Sequence, residues 1–76
     1  MLEREYDINL EIGRRIRALR LDQGVTQALL AKHVGVTFQQ LQKIEIGKNR
    51  VSAARLLLIC EYLELSPLMF YKNHPD

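Results

Sequence analysis

Between Thr26 and Ile46 the chain reads TQALLAKHVGVTFQQLQKIEI, and its apolar positions keep helical spacing in two separate runs. Leu30, Ala31 and Val34 form one stripe, and Leu41 and Ile44 form the next, so both runs can face one core. The spacing predicts a helix over 27–34 and a second over 38–46, with a tight turn between them. Thr26 and Thr37 stand at the two starts, where a hydroxyl oxygen accepts an unpaired backbone N–H. Thr37 and Gln40 also match the Thr-x-x-Gln capping box. Gly35 falls where the first of these helices must stop, because glycine takes the left-handed turn there at little cost.

The same reading extends outward in both directions. Ile12, Ile16 and Leu19 form the buried stripe of a first helix, capped by Asp7 and ending at Gln23-Gly24. Gly13 inside it costs about 1 kcal/mol against alanine, which the close approach of a neighbouring backbone would explain. After the polar loop Gly47-Lys48-Asn49-Arg50, Ser52 caps a helix over 53–63 with Leu56, Ile59, Cys60 and Leu63 facing inward. Ser66-Pro67 then opens a short fifth helix to about Tyr71, with proline at its first position. Each of the last four caps is bracketed by an apolar pair that fits a hydrophobic staple. These pairs are Val25 with Leu30, Val36 with Leu41, Val51 with Leu56, and Leu65 with Phe70. No alternating strand pattern, repeat or low-complexity tract interrupts the series. The expected fold is all-α, a bundle of five short helices forming a single domain over 1–76. Its ordered core is expected over about 8–72, with residues 1 to 6 and the tail Asn73 to Asp76 loose.

At 76 residues the core is only just large enough to fold alone. No run approaches the roughly 20 apolar residues a membrane span needs. The start, MLEREYD, is acidic and has no apolar signal core, so export is not expected. A single cysteine, Cys60, cannot form an intrachain bridge, and a cytoplasmic protein is the simpler reading. Net charge is only +2, but its distribution is uneven. Nine of the eleven Lys/Arg fall between Gly13 and Arg55, opposed there only by Asp22 and Glu45. Such a bias is either a solvated basic surface or a face that binds a polyanion.

The outward positions of the third helix sharpen that choice. Held from behind by Leu41 and Ile44, it presents Gln39, Gln40, Gln42 and Lys43. Glutamine pairs bidentately with adenine, and lysine reaches guanine acceptors. Catalytic arrangements are not evident: there is no Ser/His/Asp or Cys/His set, paired-carboxylate site or phosphate-cradling glycine loop. His33 and His74 have no metal-ligand spacing with Cys60 or with each other. The chain therefore reads as a non-enzyme with no cofactor and no metal.

From Ile12 to Phe70 the sequence resembles the phage-repressor and Cro-like helix-turn-helix family, often called XRE-type. The resemblance rests on IGRRIRALR, GVTQALLAKHVGVT, KIEIGKNR and a Leu/Ile-rich helix ending LELSP, all in one register. It implies a lambda-repressor-like fold in which the predicted second and third helices form the helix-turn-helix. It also implies sequence-specific binding of double-stranded DNA by a transcriptional regulator, most simply a repressor on a palindromic operator read through the major groove. Phe38, Gln39, Gln42 and Lys43 match base-reading places. Phe38 departs from the polar residue common there, and it either touches a thymine methyl or packs within the protein. For Gln42, base contact and a solvated helix face are both open. Gln27 matches a glutamine that reaches the DNA backbone and braces the recognition helix. Thr37, Gln40, Lys48, Asn49 and Arg50 complete the phosphate-contacting set. Arg17 and Arg20 are weaker candidates, and the family position of Glu45 suggests an ion pair or cap within the protein.

Leu29, Leu58, Tyr62, Leu68, Met69 and Tyr71 exceed what the inner stripes require. Of these, Leu58, Tyr62, Leu68, Met69 and Tyr71 are expected to form a homodimer surface that places two recognition helices about one DNA turn apart. The alternative is an antitoxin or adaptor on the same fold, holding a protein partner through this apolar surface.

Overall fold

The computed structural model describes residues 3–71. Four α-helices follow one another: α1 (Glu3–Asp22), α2 (Gln27–Val34), α3 (Phe38–Glu45) and α4 (Ala53–Leu63). A single turn of 3-10 helix, Pro67–Phe70, closes the series. Among the described residues the bundle thus has four α-helices rather than five, and α1 covers 20 of them. At the carboxyl end, Ser66 caps as expected, its hydroxyl accepting from the Leu68 N–H. The chain then tightens into one 3-10 turn and leaves it at Tyr71 in extended backbone.

At the amino end, Asp7 lies inside α1 and does not cap it. Residues 3–6 are helical rather than loose. Glu3 and Glu5 stand in the first turn, where acidic side chains complement the positive end of the helix dipole. Met1, Leu2, Lys72 and the tail Asn73 to Asp76 lie outside the described residues.

The three predicted caps of α2, α3 and α4 are all formed. Thr26 accepts from the Leu29 N–H, Thr37 from the Gln40 N–H and Ser52 from the Arg55 N–H. Between α2 and α3 the chain needs only Gly35, Val36 and Thr37 to turn. Gly35 sits at φ 73°, and its N–H and that of Val36 both reach the Ala31 carbonyl.

The core consists of Ile16 from α1, Leu30, Ala31 and Val34 from α2, Leu41 and Ile44 from α3, and Ile59 and Leu63 from α4. Burying a side chain of this size stabilises by about 1.5–3 kcal/mol. All eight staple residues lie in this core or against it. Where helices end, side chains from other elements take the orphan carbonyls. Arg55 donates to the Gly35 carbonyl at 2.8 Å, and Gln23 donates to that of Leu63 at 2.6 Å.

The crossing of α1 and α3 sets up the functional surface. At Gly13 a methyl group would collide with the backbone carbonyls of Ile44 and Glu45. Only glycine permits this backbone-to-backbone approach, which explains a glycine in mid-helix. The approach brings the next turns of α1, carrying Arg17 and Arg20, onto the end of α3.

Candidate nucleic-acid interface

Residues Phe38–Glu45 fold as a helix because both ends of the local code agree. The capping box is complete: Thr37 accepts from the Gln40 N–H at 3.0 Å, and Gln40 Oε1 accepts from the Thr37 N–H at 2.8 Å. Leu41 and Ile44 are buried, which fixes the rotation of α3 about its axis. Phe38, Gln39, Gln40, Gln42 and Lys43 are left facing out, all of them exposed.

Helix α3 forms a ridge between two depressions. On one flank, Gln39, Gln42 and Lys43 share a face at i, i+3 and i+4 and line an open cleft of about 510 Å³. Gln27 of α2, Lys48 of the following loop, and Arg17, Glu45 and Ile46 complete its walls. On the other flank, Gln40 joins Asn49 and Arg50 around a smaller hollow of about 230 Å³, with Ser52 and Arg55 at the start of α4. Three of the four expected base-reading residues therefore share one cleft. The expected phosphate contacts divide, Gln27 and Lys48 to one side and Gln40, Asn49 and Arg50 to the other, while Thr37 lines neither cleft. Phe38, 42% exposed at the first position of α3, lines neither cleft and is not packed into the core.

Several side chains in these sets are already engaged. Gln27 donates one amide N–H to Glu45 Oε1 at 2.9 Å, so only its second N–H can meet a phosphate. Thr37 and Gln40 spend their acceptor oxygens on the capping box, and the Thr37 O–H and the Gln40 amide N–H groups remain as donors. Arg50 lies 3.6 Å from Glu5 of α1 in an exposed ion pair. Glu45 is held by Arg20 through two hydrogen bonds, Nε to Oε2 at 2.7 Å and Nη2 to Oε1 at 2.9 Å. Glu45 is thus an ion-pair partner within the protein, and Arg20, buried beside it, is not available to DNA.

Arg17 is only a weak candidate from sequence, and nothing in the sequence singles out Ile46. Both line the main cleft, and Ile46 is exposed there. No local signal separates Arg17 from Arg14 or Arg15, since only the α1–α3 crossing places it beside α3. Among the expected dimer residues, Leu58, Leu68, Met69 and Tyr71 are exposed. Tyr62 differs. It is half-buried against the core, and its ring stacks on His33 at a centroid distance of 4.2 Å. One face of that ring is therefore covered within the chain.

Two helices joined by three residues, the second pinned from behind and lined outwardly with amides and an amine, define a helix-turn-helix module. A family model described as Helix-turn-helix matches residues 16–70. An HTH-type transcriptional regulator of Sinorhizobium fredii is 48% identical over 69 residues, which is 91% of this chain and 48% of that protein. The chain spans about half the length of this and the next curated relatives it matches. Among solved structures, the clp gene regulator ClgR from Corynebacterium glutamicum superposes with a TM-score of 0.80 at 30% identity. That match covers 83% of this chain and 67% of ClgR. The restriction-modification controller protein C.AhdI from Aeromonas hydrophila gives 0.78 at 28% identity, over 86% of this chain and 97% of its own. The chain belongs to the phage-repressor and Cro-like, XRE-type helix-turn-helix family of DNA-binding transcriptional regulators. Members of that family are non-enzymatic DNA-binding proteins. Among the described residues, no helix is long and apolar enough to cross a membrane.

Proposed function

We propose that this chain is the DNA-binding domain of a sequence-specific transcriptional repressor, acting as a homodimer on a palindromic operator. The carrying observation is the shared face of Gln39, Gln42 and Lys43 on a helix whose rotation Leu41 and Ile44 fix. Helix α3 enters the major groove, Gln39 pairs with adenine, and Lys43 reaches guanine acceptors. Phe38, exposed at the amino end of α3, meets a thymine methyl. Gln27, Thr37, Gln40, Lys48, Asn49 and Arg50 hold the phosphates on both flanks. Occupancy of the operator then blocks polymerase. The same reading locates the protein in the cytoplasm, with its duplex target.

Exposed Leu58 on α4 and Leu68, Met69 and Tyr71 near the 3-10 turn support a two-fold contact through the carboxyl-terminal half. Tyr62, half-buried against the core, would touch that contact only at its edge. Selection from a random DNA pool tests the whole reading. The expected product is an inverted repeat with half-sites about one helical turn, roughly 34 Å, apart. Failure to enrich any sequence overturns specific recognition. Sedimentation at micromolar concentration that gives only monomer, with and without the selected duplex, overturns the dimer.

A further inference from the structure

We propose that Arg17 of α1 and Gln27 of α2 form a clamp for one DNA phosphate, preset by the carboxylate of Glu45. The inference rests on the DNA-binding reading and adds a contact from a helix outside the helix-turn-helix. Glu45 Oε1 gathers donors from three directions. Arg20 and Gln27 both donate to it at 2.9 Å, and Arg17 Nη1 stands 4.0 Å away. The Arg20–Glu45 pair is buried and carries no net charge, so Arg17 is a surplus cation at the edge of the cleft.

Arg17 is also the accessible member of the group. Its side chain is 58% exposed, whereas that of Glu45 is 1% exposed. An approaching phosphate therefore meets the guanidinium and not the carboxylate, whose charge Arg20 already matches. Arg17 Nη1 and Gln27 Nε2 neighbour the same oxygen, so they are close enough for a single phosphodiester to bridge them. One non-bridging oxygen takes the guanidinium, and the other takes the second N–H of Gln27. Because Glu45 ends α3, the clamp is registered directly against Gln42 and Lys43. Arg17 and Gln27 are thus positioning residues that fix the DNA strand relative to the reading helix.

The test is equilibrium binding of the full chain to its selected duplex and to a scrambled one, across a salt series. The proteins are wild type, Arg17→Gln, Gln27→Ala and the double variant, with thermal melting as the folding control. Arg17→Gln is expected to lose about tenfold on both duplexes, with no drop in melting temperature. Its salt slope is expected to fall by about one, and Arg17→Lys is expected to restore that slope. The double variant is expected to lose less than the product of the two single losses, because both groups serve one phosphate. Wild-type affinity and slope in Arg17→Gln, or strictly multiplicative losses in the double variant, overturn the clamp alone. A wild-type chain that binds no duplex overturns both the clamp and the DNA-binding reading beneath it.

Discussion

Arg20 of α1 grips Glu45, the last residue of α3, through two hydrogen bonds of 2.7 and 2.9 Å, and both side chains are buried. A third Arg20 bond, Nη1 to the Val25 carbonyl at 2.8 Å, ties the same guanidinium to the chain entering α2. One arginine thus connects α1, the approach to α2, and the end of the reading helix. Breaking a buried pair by removing one partner leaves an uncompensated charge and costs about 3–5 kcal/mol. Glu45→Ala and Arg20→Ala are each expected to lose that much in urea denaturation. Replacing both with apolar residues of similar volume, Arg20→Met with Glu45→Leu, is expected to be far less damaging than either single change. A double variant as unstable as the singles would assign the effect to packing rather than to stranded charge.

Gly13→Ala is expected to destabilise the fold even though alanine is the better helix former. The gain in propensity is about 1 kcal/mol. Against it, the new methyl meets the Ile44 and Glu45 carbonyls, which are backbone atoms and cannot rotate away. Overpacking of this kind costs about 1–3 kcal/mol, and a collision with backbone belongs at the upper end. A net loss of about 1–2 kcal/mol in thermal or urea unfolding is expected. A stabilised variant would mean that α1 and α3 separate easily.

Base reading and phosphate holding separate by their sequence dependence. Gln39→Ala is expected to cost about 1–3 kcal/mol on the cognate duplex and to relax the preference at one base position. Arg50→Ala is expected to weaken cognate and random duplexes alike, since a phosphate contact carries no sequence information. Competition binding with both duplexes measures the difference. A loss confined to the cognate site in Arg50→Ala would contradict its phosphate role.

Cys60 faces the core from α4, and burial raises its thiol above the ordinary value of 9.0. A raised pKa means less thiolate at any given pH, so the folded protein is expected to resist alkylation at pH 7–8. Reactivity is expected to appear only as the chain unfolds, with the alkylation rate following denaturant concentration. Rapid labelling of the native protein at pH 7.5 would contradict the burial.

The carboxyl end of α4 carries no glycine, yet Glu64 takes the left-handed conformation at φ 56° and ends the helix. Nothing in its residue type announces that position. Asp7 has the residue type of a helix cap, and no residue in 3–6 signals the earlier start of α1 at Glu3. Ser66-Pro67 signals a helix start but carries no information about length, and the chain makes one 3-10 turn there. Arg50 is expected from sequence to contact a phosphate, and only the fold shows that it pairs with Glu5, 45 positions away.

The caps, the turn at Gly35, the staples and the outward glutamines of α3 are legible in the amino-acid sequence. These features depend on interactions three to five residues apart, which the order of residues spells out directly. Which of the five arginines on α1 is buried, that Gln27 shares a carboxylate with Arg20, and that Arg17 joins the reading cleft are settled by tertiary packing alone. Those outcomes depend on where α1 crosses α3. Packing at Gly13 fixes that crossing between segments some thirty residues apart, and no local pattern of side chains encodes it.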